Sequence, residues 1–184
     1  LTEYPNLQAV AEASQASVLK SWNGLGYNRR AKFLYETCKT IVKVHAGTVP
    51  KEIEVLKTLP GIGHNTAAAI GAYAFNQRNV FIETNIRTVF IHHFFKNRND
   101  VADSELLPLI DASLNGDPRQ WSWALMDYGT YLKKEHGNVS RRSKHHSLQS
   151  KFEGSNRQIR GLVIKSLIEG HKTMPQLKSV CQDE

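Results

Sequence analysis

From Asn6 to Ser21 the apolar side chains fall at Leu7, Val10, Ala11, Val18 and Leu19, a spacing that predicts two short helices meeting near Ala16-Ser17. Ala31, Leu34, Cys38, Ile41 and His45 continue at helical spacing and Gly47 follows as a stop, so Arg30 to His45 reads as one long amphipathic helix. Pro50 to Lys57 reads as a short helix with proline at its start, and His64 to Phe75 as an Ala-rich one in which Gly71 marks the close approach of a neighbouring helix. After the polar loop Asn76-Gln77-Arg78-Asn79, the run Val80-Phe81-Ile82 is β-like but too short for a sheet.

Ile86, Val89, Phe90 and Phe94 then stripe one helix. Asp103-Ser104-Glu105 opens the next, with Leu106, Leu107, Leu109, Ile110 and Leu114 inside and Asn115-Gly116-Asp117-Pro118 closing it. Trp121, Leu125, Tyr128 and Leu132 form the apolar face of a helix from Trp121 to Lys134. Gly137 to Asn156 is polar, basic and poor in apolar residues, and reads as a long connection. Gln158 to Ile168 is a final amphipathic helix and Thr173 to Val180 a further short one. The pattern predicts an all-α protein.

Composition narrows the class. The 184 residues are 40% hydrophobic and 22% charged, enough for one domain or two small lobes and too ordered in character for a disordered chain. Neither a membrane-length apolar run nor a secretory n-region is visible, which makes the cytoplasm the expected location. Lys plus Arg number 24 against 17 acidic residues, a formal charge of +7. Two clusters carry the excess: Arg29-Arg30 with Lys32, and Arg141-Arg142-Lys144 with His145-His146. Each alone is as readily a solvated basic face as a polyanion site. Cys38 and Cys181 are far apart and read as reduced thiols. His136, His145, His146 and His171 match no zinc spacing, and His92 and His93 read as structural or exposed.

The chemistry concentrates between Leu59 and Val89. Leu59-Pro60-Gly61-Ile62-Gly63 sets two glycines two apart just before a helix start, which predicts a tight hairpin. The N–H groups of the following helix N-terminus are then ready for an anion, a phosphate being the obvious candidate. Taken alone the same stretch reads better as a plain tight turn between helices. Eighteen residues past Asn65 comes Glu83, a single carboxylate after three apolar residues and ahead of a helix whose expected N-cap is Thr84 or Asn85; it is expected to be partly buried. Trp22-Asn23-Gly24-Leu25-Gly26-Tyr27 repeats the two-glycine hairpin.

These residues resemble the helix-hairpin-helix (HhH-GPD) DNA glycosylases, in which L-P-G-I-G-x-x-T-A is followed at this spacing by an acidic residue beside an asparagine. Trp22 to Tyr27 and Ala124-Leu125-Met126-Asp127-Tyr128-Gly129 are similar to the adenine glycosylases of the MutY type, and the resemblance covers roughly Leu1 to Leu132. It implies a two-lobed helical fold with a DNA-binding cleft between the lobes, residues 1–135 forming the glycosylase core and 136–184 a basic loop and C-terminal helices. It places Leu59 to Gly63 and Glu83 on that cleft.

The resemblance also implies roles. Glu83, one methylene longer than the family's usual aspartate, would stabilise an oxocarbenium-like sugar, and Asn85 would orient that carboxylate or the sugar or else serve as a plain N-cap. Asn65 stands where lyase-competent members carry a lysine, which implies a monofunctional glycosylase. Tyr27 would wedge into the base stack with Arg29 and Arg30 on phosphates. Leu59, Gly61, Gly63, Asn65, Thr66, Arg87, Arg141, Arg142 and Lys144 would also face DNA, with a monovalent cation on the carbonyls of the Leu59 to Gly63 hairpin.

The implied substrate is adenine opposite 8-oxoguanine or G. Uracil or thymine in mismatches, or non-catalytic recognition of bent or damaged DNA, are the alternatives. Two cysteines cannot supply the four thiolates of the 4Fe–4S cluster that many relatives carry after the helix corresponding to Trp121 to Lys134, so no cluster is expected. The expected partner is double-stranded DNA with a mismatch or damaged base, bound by a monomer associated with the nucleoid. The chain opens on Leu1, and its beginning is expected to be truncated. In relatives, the segment preceding this point carries the general-acid glutamate.

Overall fold

The computed structural model describes residues 2–182. Its helices in order are α1 (Leu7–Glu12), α2 (Gln15–Ser21), α3 (Arg29–Val44), α4 (Ile53–Leu56), α5 (His64–Phe75), α6 (Thr84–Phe94), α7 (Asp103–Ser113), α8 (Pro118–His136), a 3-10 turn (Val139–Arg142), α9 (Asn156–Glu169) and α10 (Met174–Gln182). Among the described residues the only β-structure is one isolated parallel bridge between Val101 and Ser143. The fold is all-α. None of the described helices is long and apolar enough to cross a membrane.

The chain divides into two compact units, one formed by residues up to Val49 together with those from Leu148 on, the other by Pro50–Ser147. In the first unit α1 and α2 pack on α3. The junction between α1 and α2 falls at Ser14, earlier than Ala16-Ser17, because the Ser14 hydroxyl accepts from the Ser17 N–H (3.1 Å) and starts a new helix there. On α3, Ala31, Cys38 and Ile41 are buried along the apolar stripe that the spacing predicts. The Ser155 hydroxyl caps α9 in the same way, accepting from Gln158.

The second unit has its core where α5, α6, α7 and α8 meet. Ala68, Ala72, Phe81, Ile86, Phe90, Ile91, Val101, Leu106, Ile110 and Leu132 lie within it. Phe81 and Ile82 are buried without pairing to any strand, so the short apolar run is an anchor for the start of α6. Burying a phenylalanine of this kind contributes about 2–3 kcal/mol. Two expectations are corrected. The short helix predicted from Pro50 to Lys57 is only α4, since Glu52 is still extended. Gly71 makes room not for a helix but for the side chain of Asn79, whose amide would collide with a Cβ there.

Helix α8 begins at Pro118, three residues ahead of the predicted start, because the Asp117 carboxylate caps the Gln120 N–H (2.8 Å). That N–H, with the Asn76 amide, holds the Asp117 carboxyl below its ordinary range. The connection expected from Gly137 to Asn156 is structured in its first half. Val101 N–H donates to Arg142 O and Lys144 N–H to Val101 O (both 3.0 Å), with Ser140 and Ser143 buried beneath. Serines pass as loop residues in sequence, and here the backbone they belong to completes the floor under α6.

Candidate functional site

The Leu59–Gly63 hairpin is built on a buried Leu59 (2% exposed) and closed by the Ile62 N–H donating to Leu59 O (3.1 Å). Only one of its glycines needs its conformational freedom: Gly61 sits at φ +74, in the left-handed region, whereas Gly63 is extended at φ −92. Gly63 is the N-cap of α5 and no side chain caps that helix. A Cβ on Gly63 would meet nothing within 4 Å, so what the glycine provides there is open access to the first N–H groups of α5. Asn65 and Thr66 are exposed on that first turn. The arrangement can take an anion on backbone N–H groups at the positive end of a helix dipole.

Glu83 is the N-cap residue of α6, with extended backbone (φ −97, ψ 160), in place of Thr84 or Asn85. Its side chain is exposed, not partly buried as the three preceding apolar residues suggest. The burial stops at Ile82, and the helix start turns the next side chain outward. The carboxylate has an aromatic neighbour that periodicity does not single out. The Tyr73 phenol of α5 is pushed up by burial and by the charge of Glu83, so it keeps its proton. The Tyr73 ring packs edge-on against Phe81 (centroids 5.7 Å) and stacks with Trp123 (6.5 Å), which is 53% exposed. Trp123 lies off the apolar face read from Trp121, Leu125, Tyr128 and Leu132, and that displacement is the signal in the sequence that could have marked it.

Asn85 neither caps α6 nor faces Glu83's carboxylate through its amide. Its Nδ2 donates to Met126 O (3.1 Å) and Thr130 Oγ1 (3.0 Å), while its Oδ1 accepts from Lys133 Nζ. The Lys133 ammonium is pulled down by burial. Arg87 is likewise engaged within the protein: its Nε and Nη2 form a forked pair with Asp103 (2.9 and 2.7 Å), with the two side chains only 16% and 25% exposed. The phosphate contact expected of Arg87 gives way in this structure to a tie between α6 and the start of α7.

In the first unit, the second hairpin presents Tyr27. Gly24 (φ +88), Gly26 (φ +69) and Tyr27 itself (φ +48) are all left-handed, a conformation that costs a tyrosine about 1–2 kcal/mol. The turn is fixed by Trp22 Nε1 donating to Gly26 O (2.9 Å). Tyr27 is 64% exposed, and its hydroxyl accepts from Gln149 Nε2 (2.8 Å), so it is not a core tyrosine. The guanidinium groups of Arg30 and Arg29 lie over the rings of Trp22 and Phe33 (5.5 and 4.9 Å).

The second basic cluster separates by side chain. Arg141 and Lys144 are exposed, but Arg142 is partly buried and its Nη1 donates to Phe95 O (3.1 Å) and Lys96 O, closing the C-terminal end of α6. Cys38 is buried and its thiol is pushed up by that burial, which suits an inert structural thiol. The side chain of Cys181 lies outside the described residues. Among the described residues no three His, Cys, Asp or Glu side chains are grouped to hold a metal ion. The segment following α8 carries one cysteine, Cys181, of the four thiolates that a 4Fe–4S cluster requires.

Comparison with known proteins gives a consistent picture. A family model described as HhH-GPD superfamily base excision DNA repair protein matches residues 1–107. An adenine DNA glycosylase of Mycobacterium tuberculosis (strain ATCC 25618 / H37Rv) is 46% identical over 86 residues, 47% of this chain and 28% of that protein. The adenine DNA glycosylase of Mycolicibacterium smegmatis is 34% identical over 131 residues, 70% of this chain and 45% of that protein. The chain thus spans less than half the length of these curated relatives. Among solved structures, a thermostable thymine-DNA glycosylase superimposes with a TM-score of 0.61 at 21% identity, covering 77% of this chain and 70% of that one. Endonuclease III in a non-covalent DNA complex does so with a TM-score of 0.54 at 16% identity, covering 73% and 62%. At those identities the likeness is one of fold.

Proposed function

The chain belongs to the HhH-GPD superfamily of base excision DNA repair proteins, and from that premise we propose that it serves a monofunctional DNA glycosylase hydrolysing the N-glycosidic bond of a flipped adenine opposite 8-oxoguanine or G. The observation that carries this reading is Glu83: an exposed carboxylate at the N-terminus of α6, held by the buried Phe81 and Ile82 just before it. Support for adenine over other bases comes from the curated relatives, which are adenine DNA glycosylases.

The chemistry follows from the site. A base inside a duplex is out of reach, so its nucleotide is extruded. As the bond from C1′ to the base nitrogen breaks, the sugar gains oxocarbenium character, and an anionic group beside it lowers the barrier. Glu83 supplies that charge, water adds to C1′, and the proton it gives up goes to the departing adenine, which leaves with the electron pair of the broken bond. Asn65 offers an amide where a Schiff-base mechanism needs an amine, so the product is an abasic site with the strand intact. The α5 N-terminus holds a backbone phosphate of double-stranded DNA, with a monovalent cation on the hairpin carbonyls. Tyr27 enters the base stack beside Arg29 and Arg30. The protein works as a monomer, without an iron–sulfur cluster.

The test is base release from labelled duplexes carrying A opposite 8-oxoguanine, A opposite G, or U or T opposite G, with wild type and Glu83→Gln. Wild type releases adenine and the strand breaks only after alkali. Glu83→Gln keeps binding and loses about a hundredfold or more in rate, the equivalent of roughly 3 kcal/mol of transition-state stabilisation. Release of U or T but not A reassigns the substrate. No release from any duplex, with binding intact, leaves a non-catalytic DNA-binding module. An adduct trapped by borohydride overturns the monofunctional assignment.

A further inference from the structure

The C-terminal ends of α6 and α8 bring together five cationic or proton-binding side chains that the glycosylase reading does not use. His92 stacks on His136 (ring centroids 4.7 Å, 28° apart) and meets His93 edge-on (4.9 Å, 83°). His93 Nε2 shares a hydrogen bond with the Tyr128 hydroxyl (2.8 Å), which fixes that ring. Lys96 follows α6, and the Arg142 guanidinium is fastened to the carbonyls of Phe95 and Lys96 beside it. Among the described residues, none of the five takes part in a salt bridge.

The charged groups acting on His92 are His93 on its own helix, His136 from α8, Lys96 after α6 and Arg142 from the 3-10 turn. Burial first, and these neighbouring groups after it, hold the His92 imidazole below its ordinary value. Three imidazoles joined by ring contacts and two fixed charges, none of them in a salt bridge among the described residues, offer their donors to an external anion.

We propose that His92, His93 and His136, with Lys96 and Arg142, form a phosphate-binding site that takes up protons as it fills, and that the phosphate is one of the DNA backbone. The site stands apart from Glu83 and requires no base release. It makes DNA affinity rise as the pH falls, by up to about tenfold per pH unit for each proton taken up.

The test follows the imidazole resonances of the whole chain by NMR as the pH is varied at constant ionic strength. Three conditions are compared: phosphate-free buffer, added inorganic phosphate, and a short undamaged DNA duplex. The His92 midpoint moves upward with the duplex, and the affinity for DNA strengthens between pH 8 and 5.5. His92→Gln with His136→Gln abolishes most of that pH dependence. The single exposed change His136→Gln reports the same effect in part should the double variant not fold. A midpoint that moves with inorganic phosphate alone upholds the site and assigns it to a free anion. A midpoint that moves with neither, or a pH dependence that survives both substitutions, overturns it. Base release by wild type is measured alongside, so a failure here is separate from a failure of the glycosylase reading.

Discussion

Gly129 on α8 lies directly against the backbone of Asn85 at the start of α6. A Cβ at Gly129 would sit 2.8 Å from the Asn85 Cα and closer still to its carbonyl, whose position is tied by the three side-chain bonds from Asn85 to α8. Because both neighbours are helix backbone, neither can swing aside as a flexible side chain would. Gly129→Ala is expected to destabilise the protein by about 1–3 kcal/mol, partly offset by the gain of roughly 1 kcal/mol in helix propensity. Urea unfolding measures it. Since Asn85 is two residues from Glu83, base release should fall with stability. A variant as stable and active as wild type would mean that α8 slides freely on α6.

The two glycines of the Leu59–Gly63 hairpin separate into different kinds of residue. Gly61→Val places a β-branched side chain at φ +74 and should cost stability by at least about 1–2 kcal/mol. A Cβ on Gly63 meets no atom within 4 Å, so Gly63→Val loses only the N-cap preference for glycine and should cost about 1 kcal/mol. Both should weaken DNA binding, the first by deforming the turn and the second by screening the N–H groups of α5. Paired thermal melts and binding titrations decide the matter. If Gly63→Val bound DNA normally, the N-terminus of α5 would not be a phosphate site.

Much of this was legible in the chain. The bounds of α5 follow from its Ala-rich run after the hairpin, and the place of Glu83 at the head of α6 follows from the apolar run before it. Its exposure was not legible, because hydrophobic neighbours along the chain say nothing of which way the next side chain turns as a helix begins. The partners of Asn85, Arg87 and Arg142 were hidden for a different reason. Each bonds across 16 to 48 residues of sequence, to groups that no local spacing connects. A basic or amide side chain reads as free in a sequence until the fold supplies an acceptor.

His92 also predicts how stability depends on pH. Burial first, then His93, His136, Lys96 and Arg142, hold its imidazole below the ordinary value of about 6.5 in the folded state. The unfolded chain therefore binds more protons in that window, and stability present above about pH 6.5 is lost as the pH falls through it. In phosphate-free buffer, the thermal midpoint of wild type should drop more between pH 8 and 5.5 than that of His92→Gln. His92 is partly exposed, so solvent moderates the effect and the comparison of the two proteins, more than the absolute drop, is what counts. Equal drops would show that His92 titrates alike in both states.

The basic cluster after α8 makes a prediction in which neighbouring residues part company. Arg141 and Lys144 are exposed, so Arg141→Gln with Lys144→Gln should leave stability unchanged within about 0.5 kcal/mol. If each meets one phosphate, the pair should weaken DNA binding alike for every sequence and reduce the slope of log affinity against log salt by about 2. Arg142 should behave otherwise. It donates to the carbonyls of Phe95 and Lys96, and Arg142→Ala removes the donor from that end of α6, at a cost of about 1–3 kcal/mol in stability. Its effect on the salt slope should come only through the phosphate site beside His92, and so should be small at pH 8. The measurement is a salt titration of binding to several unrelated duplexes alongside urea melts of the three proteins. A loss confined to one duplex would point to base reading by Arg141 or Lys144. A double variant with the wild-type slope would remove both from the DNA interface, leaving the hairpins and the site beside His92 to carry the phosphate contacts.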